Sequence, residues 1–302
     1  MRKSCIIGCK GQDGQLLGMR LASRGHVVSG VARGDLDLTK AGDVLAYLRE
    51  HMPDELYYLA AYQHSSQDAP DLTEADIFTN SFSTNVQGLV SVLDGIRQLS
   101  GKSRIFYAAS SHVFGTPNIS PQNESTSFRP ENIYGISKAA AVEACRYYRK
   151  NHGLFVACGI LYNHESALRS EKFVMKKIIS GALRISRQEQ EFLTLGNLEA
   201  AVDWGHAQNY VDAMIHILSQ PSPDDYVIAS GKTHTVRELV EIVFDELQLD
   251  WKKHVKIEPG ILTKPTVTLM GNAAKLRATG WQPVFDFPTM VKSILRDLQG
   301  SI

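Results

Sequence analysis

The chain has 302 residues, 43% of them hydrophobic and 21% charged, and its 32 basic side chains balance 32 acidic ones. That composition fills the core of one large or two smaller globular domains. It excludes the basic stripe of a nucleic-acid binder and the polybasic run of a lipid-surface protein. No apolar stretch reaches the roughly 18 residues of a membrane span, and Met1–Gly8 runs straight into a strand pattern with no signal peptide. A cytoplasmic protein without nucleic-acid or membrane partners is expected. Its four cysteines, Cys5, Cys9, Cys145 and Cys158, lack metal-ligand spacing and are expected as reduced thiols; no metal site is read from the chain.

In chain order, residues 4–8 read as a buried strand, 15–24 as the helix after it and 27–32 as a second strand. A helix over 41–51 stops near Pro53, and 55–61 form a third strand. Residues 82–99 carry Val86, Leu89, Val90, Leu93 and Ile96 at a 3.6-residue period, the mark of an amphipathic helix. A strand at 104–109, a helix at 134–151 and a strand at 154–161 complete the first half. Strands alternating with helices of this length predict an α/β fold, a doubly wound parallel sheet of the Rossmann type. The second half has a weaker rhythm: helices over 173–186, 208–219 and 236–247, and a strand over 225–229. It predicts a smaller α/β lobe at the carboxyl edge of the sheet, where open α/β sheets bind ligands. The expected division is a dinucleotide-binding domain over 1–162 and a mainly substrate-binding lobe over 163–302, with some of its elements returning to the first domain.

Two stretches carry chemistry. Gly8-Cys-Lys-Gly11-Gln12-Asp13-Gly14 follows a strand and opens a helix. Its glycines permit a tight turn in which a pyrophosphate lies against backbone N–H groups at a helix N-terminus. Arg33 ends the second strand, where an arginine accommodates the 2′-phosphate of NADP and an acidic residue favours NAD. NADP is therefore the expected cofactor, with NAD as the alternative, because Asp35 and Asp37 follow closely; the competing assignment of Arg33 is a solvated loop charge. Further on, Tyr134-Gly-Ile-Ser-Lys138 places a phenol and an ammonium one helical turn apart on one face. A neighbouring Lys⁺ favours ionised tyrosine, so this phenol is expected to take or give a proton near neutral pH. Ser110 and Ser111 end the apolar run upstream of it.

With these motifs in this order, the chain resembles the extended short-chain dehydrogenase/reductases and, among them, the GDP-mannose 4,6-dehydratases. The resemblance spans nearly the whole chain. It is carried by the glycine turn, Pro53-Asp-Glu-Leu-Tyr-Tyr-Leu-Ala-Ala61, Tyr134–Lys138, Asn163-His-Glu-Ser166, Leu195-Gly-Asn197, Asp203-Trp-Gly-His-Ala207 and Asp225-Tyr-Val-Ile-Ala-Ser-Gly231. It implies a nucleotide-sugar substrate, GDP-linked, oxidised at C4. Tyr134 would take the 4-OH proton while hydride leaves C4, Lys138 would hold the nicotinamide ribose, and Ser110 would hydrogen-bond the C4 oxygen. Ser111 and His112 complete the catalytic segment. The resemblance places Gly8, Gly11, Gln12, Asp13, Gly14, Arg33, Asp37, Leu38, Leu59, Ala60, Ala61 and Asn85 at the cofactor. It places His64, Asn163, Glu165, Arg169, Val174, Lys177, Leu195, Gly196, Asn197 and Lys264 at the substrate.

The departures are equally specific. The family reads Thr-Ser-Glu where this chain reads Ser110-Ser111-His112, and that glutamate removes the C5 proton. An imidazole, with an ordinary pKa near 6.5, is expected to carry the same proton transfers. Val202 stands where the family has a diphosphate-binding arginine, Leu168 replaces one of two arginines of which Arg169 survives, and Lys264 replaces another. Lysine keeps the charge and loses the bidentate fork. Only Gly34, Asp35 and Leu36 separate Arg33 from Asp37, so the long loop that reaches a neighbouring subunit in the dehydratases is missing. This short link resembles that of dTDP-4-keto-6-deoxyhexose reductases, and a homodimer through helices 82–99 and 134–151 is expected instead of a tetramer. The expected outcome is 4,6-dehydration, with C4 ketoreduction or epimerisation as alternatives and a non-catalytic cofactor sensor as the rival of another class. His206 is expected as a structural histidine at a turn, and Asp203 as a loop brace.

Overall fold

The computed structural model describes residues 1–63, 72–99, 101–258 and 268–300. Strands β1 (Lys3–Ile7), β2 (Val27–Val31), β3 (Glu55–Tyr58), β4 (Arg104–Ser110) and β5 (Val156–Leu161) alternate with helices α1 (Gln12–Ser23), α2 (Ala41–His51), α3 (Glu74–Phe82), α4 (Gly88–Leu99) and α5 (Ile133–His152). There follow β6 (Asn163–Glu165), α6 (Val174–Ser186), β7 (Leu193–Leu195), β8 (Ala201–Val202), β9 (Trp204–His206), α7 (Ala207–Ser219) and β10 (Asp225–Ile228). The chain continues through β11 (His234–Thr235), α8 (Val236–Glu246), α9 (Trp251–His254), β12 (Val255–Ile257), α10 (Ala274–Ala278) and α11 (Phe287–Gly300).

Six strands pair in the order β10-β5-β4-β3-β1-β2, and every pairing among them is parallel. The α/β, doubly wound expectation holds. Strands β4 and β5 are paired on both sides and buried almost throughout, which is why they read as continuous apolar runs and not as alternating ones. Although they lie beyond residue 162, α7 and β10 pack into this first core through Tyr210, Val211, Met214, Val227 and Ile228. A second core joins α6, α8 and α11, with Ile178, Ile179, Leu239, Val243, Val291 and Ile294 at its centre. Each such side chain stabilises the fold by about 1.5–3 kcal/mol through burial.

Four elements differ from the sequence expectation. Residues 59–61 leave the sheet instead of extending β3. Helix α3 was not anticipated; a capping box between Thr73 and Asp76 starts it. The helix expected over 82–99 is broken by a π-helical turn, Ser83–Gln87, before α4 begins. That extra residue per turn brings Asn85 into the protein interior, where it is fully buried. Helix α11 was also missed. His64 and Lys264 lie outside the described residues.

Candidate active site

The carboxyl ends of β1, β2 and β3 open on a cavity of about 590 Å³. Gly8, Gly11, Arg33, Asp37, Leu38, Leu59, Ala60 and Ala61 line it, as expected for a cofactor groove. A Cβ at Gly14 would fall 2.3 Å from the Gly8 carbonyl oxygen, and Gly8 itself has a left-handed φ of 97°, so both are needed for the turn. No side chain caps α1 at Gly11, which leaves the first N–H groups of the helix to a ligand. Arg33 is exposed and makes no ion pair among the described residues. Asp35 accepts the Ala32 N–H, and Asp37 accepts both the N–H and the hydroxyl of Thr39. Both carboxylates are thus engaged, and Arg33 is left to answer a phosphate. These residues fit an adenine dinucleotide carrying a 2′-phosphate; when bound, such a cofactor supplies the hydride acceptor or donor.

Three expected cofactor contacts are reassigned. The Gln12 amide donates to Asp13 and to the His164 carbonyl and accepts from the Ser166 hydroxyl. Asp13 pairs with His164 Nε2 at 2.9 Å. Their side chains tie the glycine turn to β6 and the residue after it and do not line the cavity. Asn85 accepts the Tyr62 N–H and donates to the Tyr62 carbonyl and the Ser137 hydroxyl. Its whole amide is consumed holding the chain after β3 against α5.

Ser110, Ser111, His112 and Tyr134 meet where β4 ends beside the N-terminus of α5. Ser110 and Ser111 are buried at the end of β4, and Ser110 Oγ accepts the backbone N–H of His112. A 3₁₀ turn, Ser111–Phe114, then carries His112 to the exposed rim. Asn132 caps α5 by accepting the Gly135 N–H at 2.8 Å, and its Nδ2 lies 3.1 Å from His112 Nδ1. Gly135 is obligatory: a Cβ there would stand 2.5 Å from the His112 carbonyl oxygen. The close fit sets the His112 and Tyr134 rings edge to face, 5.7 Å apart.

Tyr134 and Lys138 lie on one face of α5 as expected, but their electrostatics are not those the spacing predicts. Lys138 is fully buried, donates to the Ala108 carbonyl at 2.8 Å and stands 5.6 Å from the centre of the Tyr134 ring. Burial pushes its pKa down to about 7. Burial also raises Tyr134 to about 12, with the Ser110 hydroxyl pulling it back. Burial thus opposes the ionisation of the phenol that the spacing suggests. Burial also disfavours the His112 imidazolium and lowers its pKa.

On the substrate side, Asn163 is exposed at the start of β6, while Val174 and Lys177 are half-buried on α6. Glu165 is buried, and burial pushes it up to about 7 despite Arg169 Nε at 3.7 Å. Arg169 also stacks over the Phe173 ring. Leu195 belongs to the second core, so its side chain is no ligand contact; Gly196 and Asn197 lie beyond it, with Asn197 accepting the Glu199 N–H. His206 caps α7 and stacks on Phe285, and Asp203 accepts from Ser230, Gly231 and Gly271: both are structural. Sequence reasoning gave no role to Asn132, Ser137 or His164. A capping asparagine three residues before a helical glycine was the signal for the first.

A family model described as GDP-mannose 4,6 dehydratase matches residues 34–294. The chain belongs to the GDP-mannose 4,6-dehydratase family. Relatives in that family include GDP-mannose 4,6 dehydratase 2 of Caenorhabditis elegans, 34% identical over 96% of this chain and 87% of its own. GDP-mannose 4,6 dehydratase 2 of Arabidopsis thaliana is 36% identical over 96% of this chain and 85% of its own. Among solved structures, RMD from Pseudomonas aeruginosa complexed with NADPH superposes with a TM-score of 0.86 at 21% identity, covering both chains fully. The dTDP-glucose 4,6-dehydratase of Bacillus anthracis in complex with NAD gives 0.83 at 15% identity over 99% and 97% of the two chains. These structural likenesses share the fold of this GDP-mannose 4,6-dehydratase family member. No described helix is long and apolar enough to cross a membrane.

Proposed function

We propose that the protein is an NADP-dependent nucleotide-sugar enzyme that oxidises GDP-mannose at C4 and then eliminates water across C5 and C6. The observation that carries this reading is Ser110 at the carboxyl end of β4 with Tyr134 and Lys138 on α5, in a chain of this family. Ser110 holds the C4 oxygen, Tyr134 exchanges the O4 proton, and buried Lys138 steadies the phenol. Asn163 and Lys177 face the nucleotide-sugar. Arg33 selects NADP over NAD. The enzyme works in the cytoplasm as a homodimer through helices 82–99 and 134–151, and exposed Tyr147 on α5 supports that interface.

A second reading, reduction of a 4-keto sugar, is favoured by one observation: His112 stands in place of an acidic residue, and its ring is held by Asn132. Mass spectrometry of GDP-mannose and GDP-4-keto-6-deoxymannose, incubated with and without NADPH, tests both. Loss of one water from GDP-mannose without added NADPH supports the first reading. Gain of two hydrogens on the keto sugar, with NADPH consumed, overturns it in favour of the second. Tyr134→Phe should lower turnover by about 10²–10⁴-fold in either case, whereas a non-catalytic cofactor sensor would show no turnover to lose.

A further inference from the structure

We propose that Asn132 is a positioning residue that fixes His112 as a hydrogen-bond donor, with its proton on Nε2, so that His112 donates to an oxygen of the sugar. The inference takes the catalytic cleft from the reading above, yet it concerns the imidazole itself. It begins with the backbone. The Gly135 N–H can only donate, so the Asn132 atom 2.8 Å from it is the amide oxygen. The other amide atom is then the NH₂ group, which can only donate, and it lies 3.1 Å from His112 Nδ1. His112 Nδ1 must therefore accept, and a neutral imidazole that accepts at Nδ1 carries its proton on Nε2.

The arrangement is locked on both sides. Turning the Asn132 amide over would set NH₂ against N–H at the start of α5 and abandon the cap. Swinging His112 away is opposed by its backbone, because its carbonyl abuts Gly135 and its N–H is held by Ser110. Burial further disfavours the imidazolium. A neutral Nε2–H donor suits an oxygen that gains negative charge, such as a carbonyl accepting hydride. The carbonyl or hydroxyl oxygen of a hexose beside Ser110 and Tyr134 is the ligand class this donor recognises.

Long-range ¹H–¹⁵N correlation spectra of [¹⁵N]histidine-labelled protein at about pH 8 test the assignment, with His112→Gln identifying the resonance; the neutral tautomers of His have distinct patterns. The expected wild-type pattern is Nε2–H. Asn132→Asp keeps an oxygen for the Gly135 N–H but replaces the donor by an acceptor, so the proton should move to Nδ1. Turnover should then fall about a hundredfold, the scale of removing one oxyanion donor, with the thermal midpoint held by the retained cap. Asn132→Ser, which also caps well, should give a mixture of tautomers. A wild-type Nδ1–H or imidazolium pattern, or one unchanged in both variants, would overturn the proposal. Failure to turn over GDP-mannose would not, because the tautomer is read without substrate.

Discussion

His164 holds Asp13 at 2.9 Å with Nε2 and the Tyr162 carbonyl at 2.7 Å with Nδ1, so both ring nitrogens face acceptors. Such an imidazole is held as the cation. Its pKa is raised because the Asp13 carboxylate overcomes burial, and Asp13 is lowered by the same partner against its own burial. The pair ties the glycine turn to β6.

The pH behaviour of that tie follows from the two directions. A raised histidine contributes stability that is complete below its ordinary value near 6.5 and is lost as pH rises through the raised value. A depressed aspartate contributes above its ordinary value near 3.9 and loses that contribution as pH falls through the lowered one. Asp13→Asn should therefore cost about 1–3 kcal/mol between these limits. Thermal midpoints of wild type and variant should converge as pH rises through the His164 value. A gap independent of pH would show that the pair does not titrate as described.

Gly135→Ala tests the contact that sets His112 beside Tyr134. The added methyl meets the His112 carbonyl at 2.5 Å and Pro130 at 3.1 Å, so the expected cost is about 1–3 kcal/mol. Turnover should fall more than tenfold, a loss of roughly 1.4 kcal/mol in transition-state binding. Unchanged turnover in a folded variant would mean that the fit does not set the catalytic geometry.

Arg33→Ala should weaken NADPH by about 10- to 100-fold, the 1.5–3 kcal/mol of a charge-assisted contact, and leave NADH unchanged. Titration of each cofactor by fluorescence reads the difference. Equal losses for both would remove Arg33 from the 2′-phosphate.

The sheet was legible because β1, β4 and β5 are short apolar runs between helices with a clear 3.6-residue period. The glycine turn and the Tyr134–Lys138 spacing were legible because they depend on local backbone. Tertiary structure decided the rest. The π-helical turn that buries Asn85 leaves no apolar signature, so its amide was taken for a cofactor contact when it binds Tyr62 and Ser137. Gln12 and Asp13 looked like turn residues facing a ligand, yet their partners lie some 150 positions away in β6 and just beyond it. The Tyr134 and Lys138 pKa directions depend on burial, which spacing does not report. Helix α3 was missed because it follows a stretch without a regular apolar period.

The central claim is that hydride leaves C4 and water leaves across C5 and C6. With the cofactor unchanged overall, the hydride taken from C4 must return to the sugar, and C6 of the dehydrated ketone is the carbon left to accept it. Incubation with GDP-mannose carrying deuterium at C4, followed by NMR of the product, reads that transfer directly. Deuterium on C6 of a 4-keto-6-deoxy sugar, formed without added NADPH, is the expected result. Deuterium still on C4 of unreacted sugar, while the keto sugar is reduced at the expense of NADPH, would contradict the claim and make the protein a reductase.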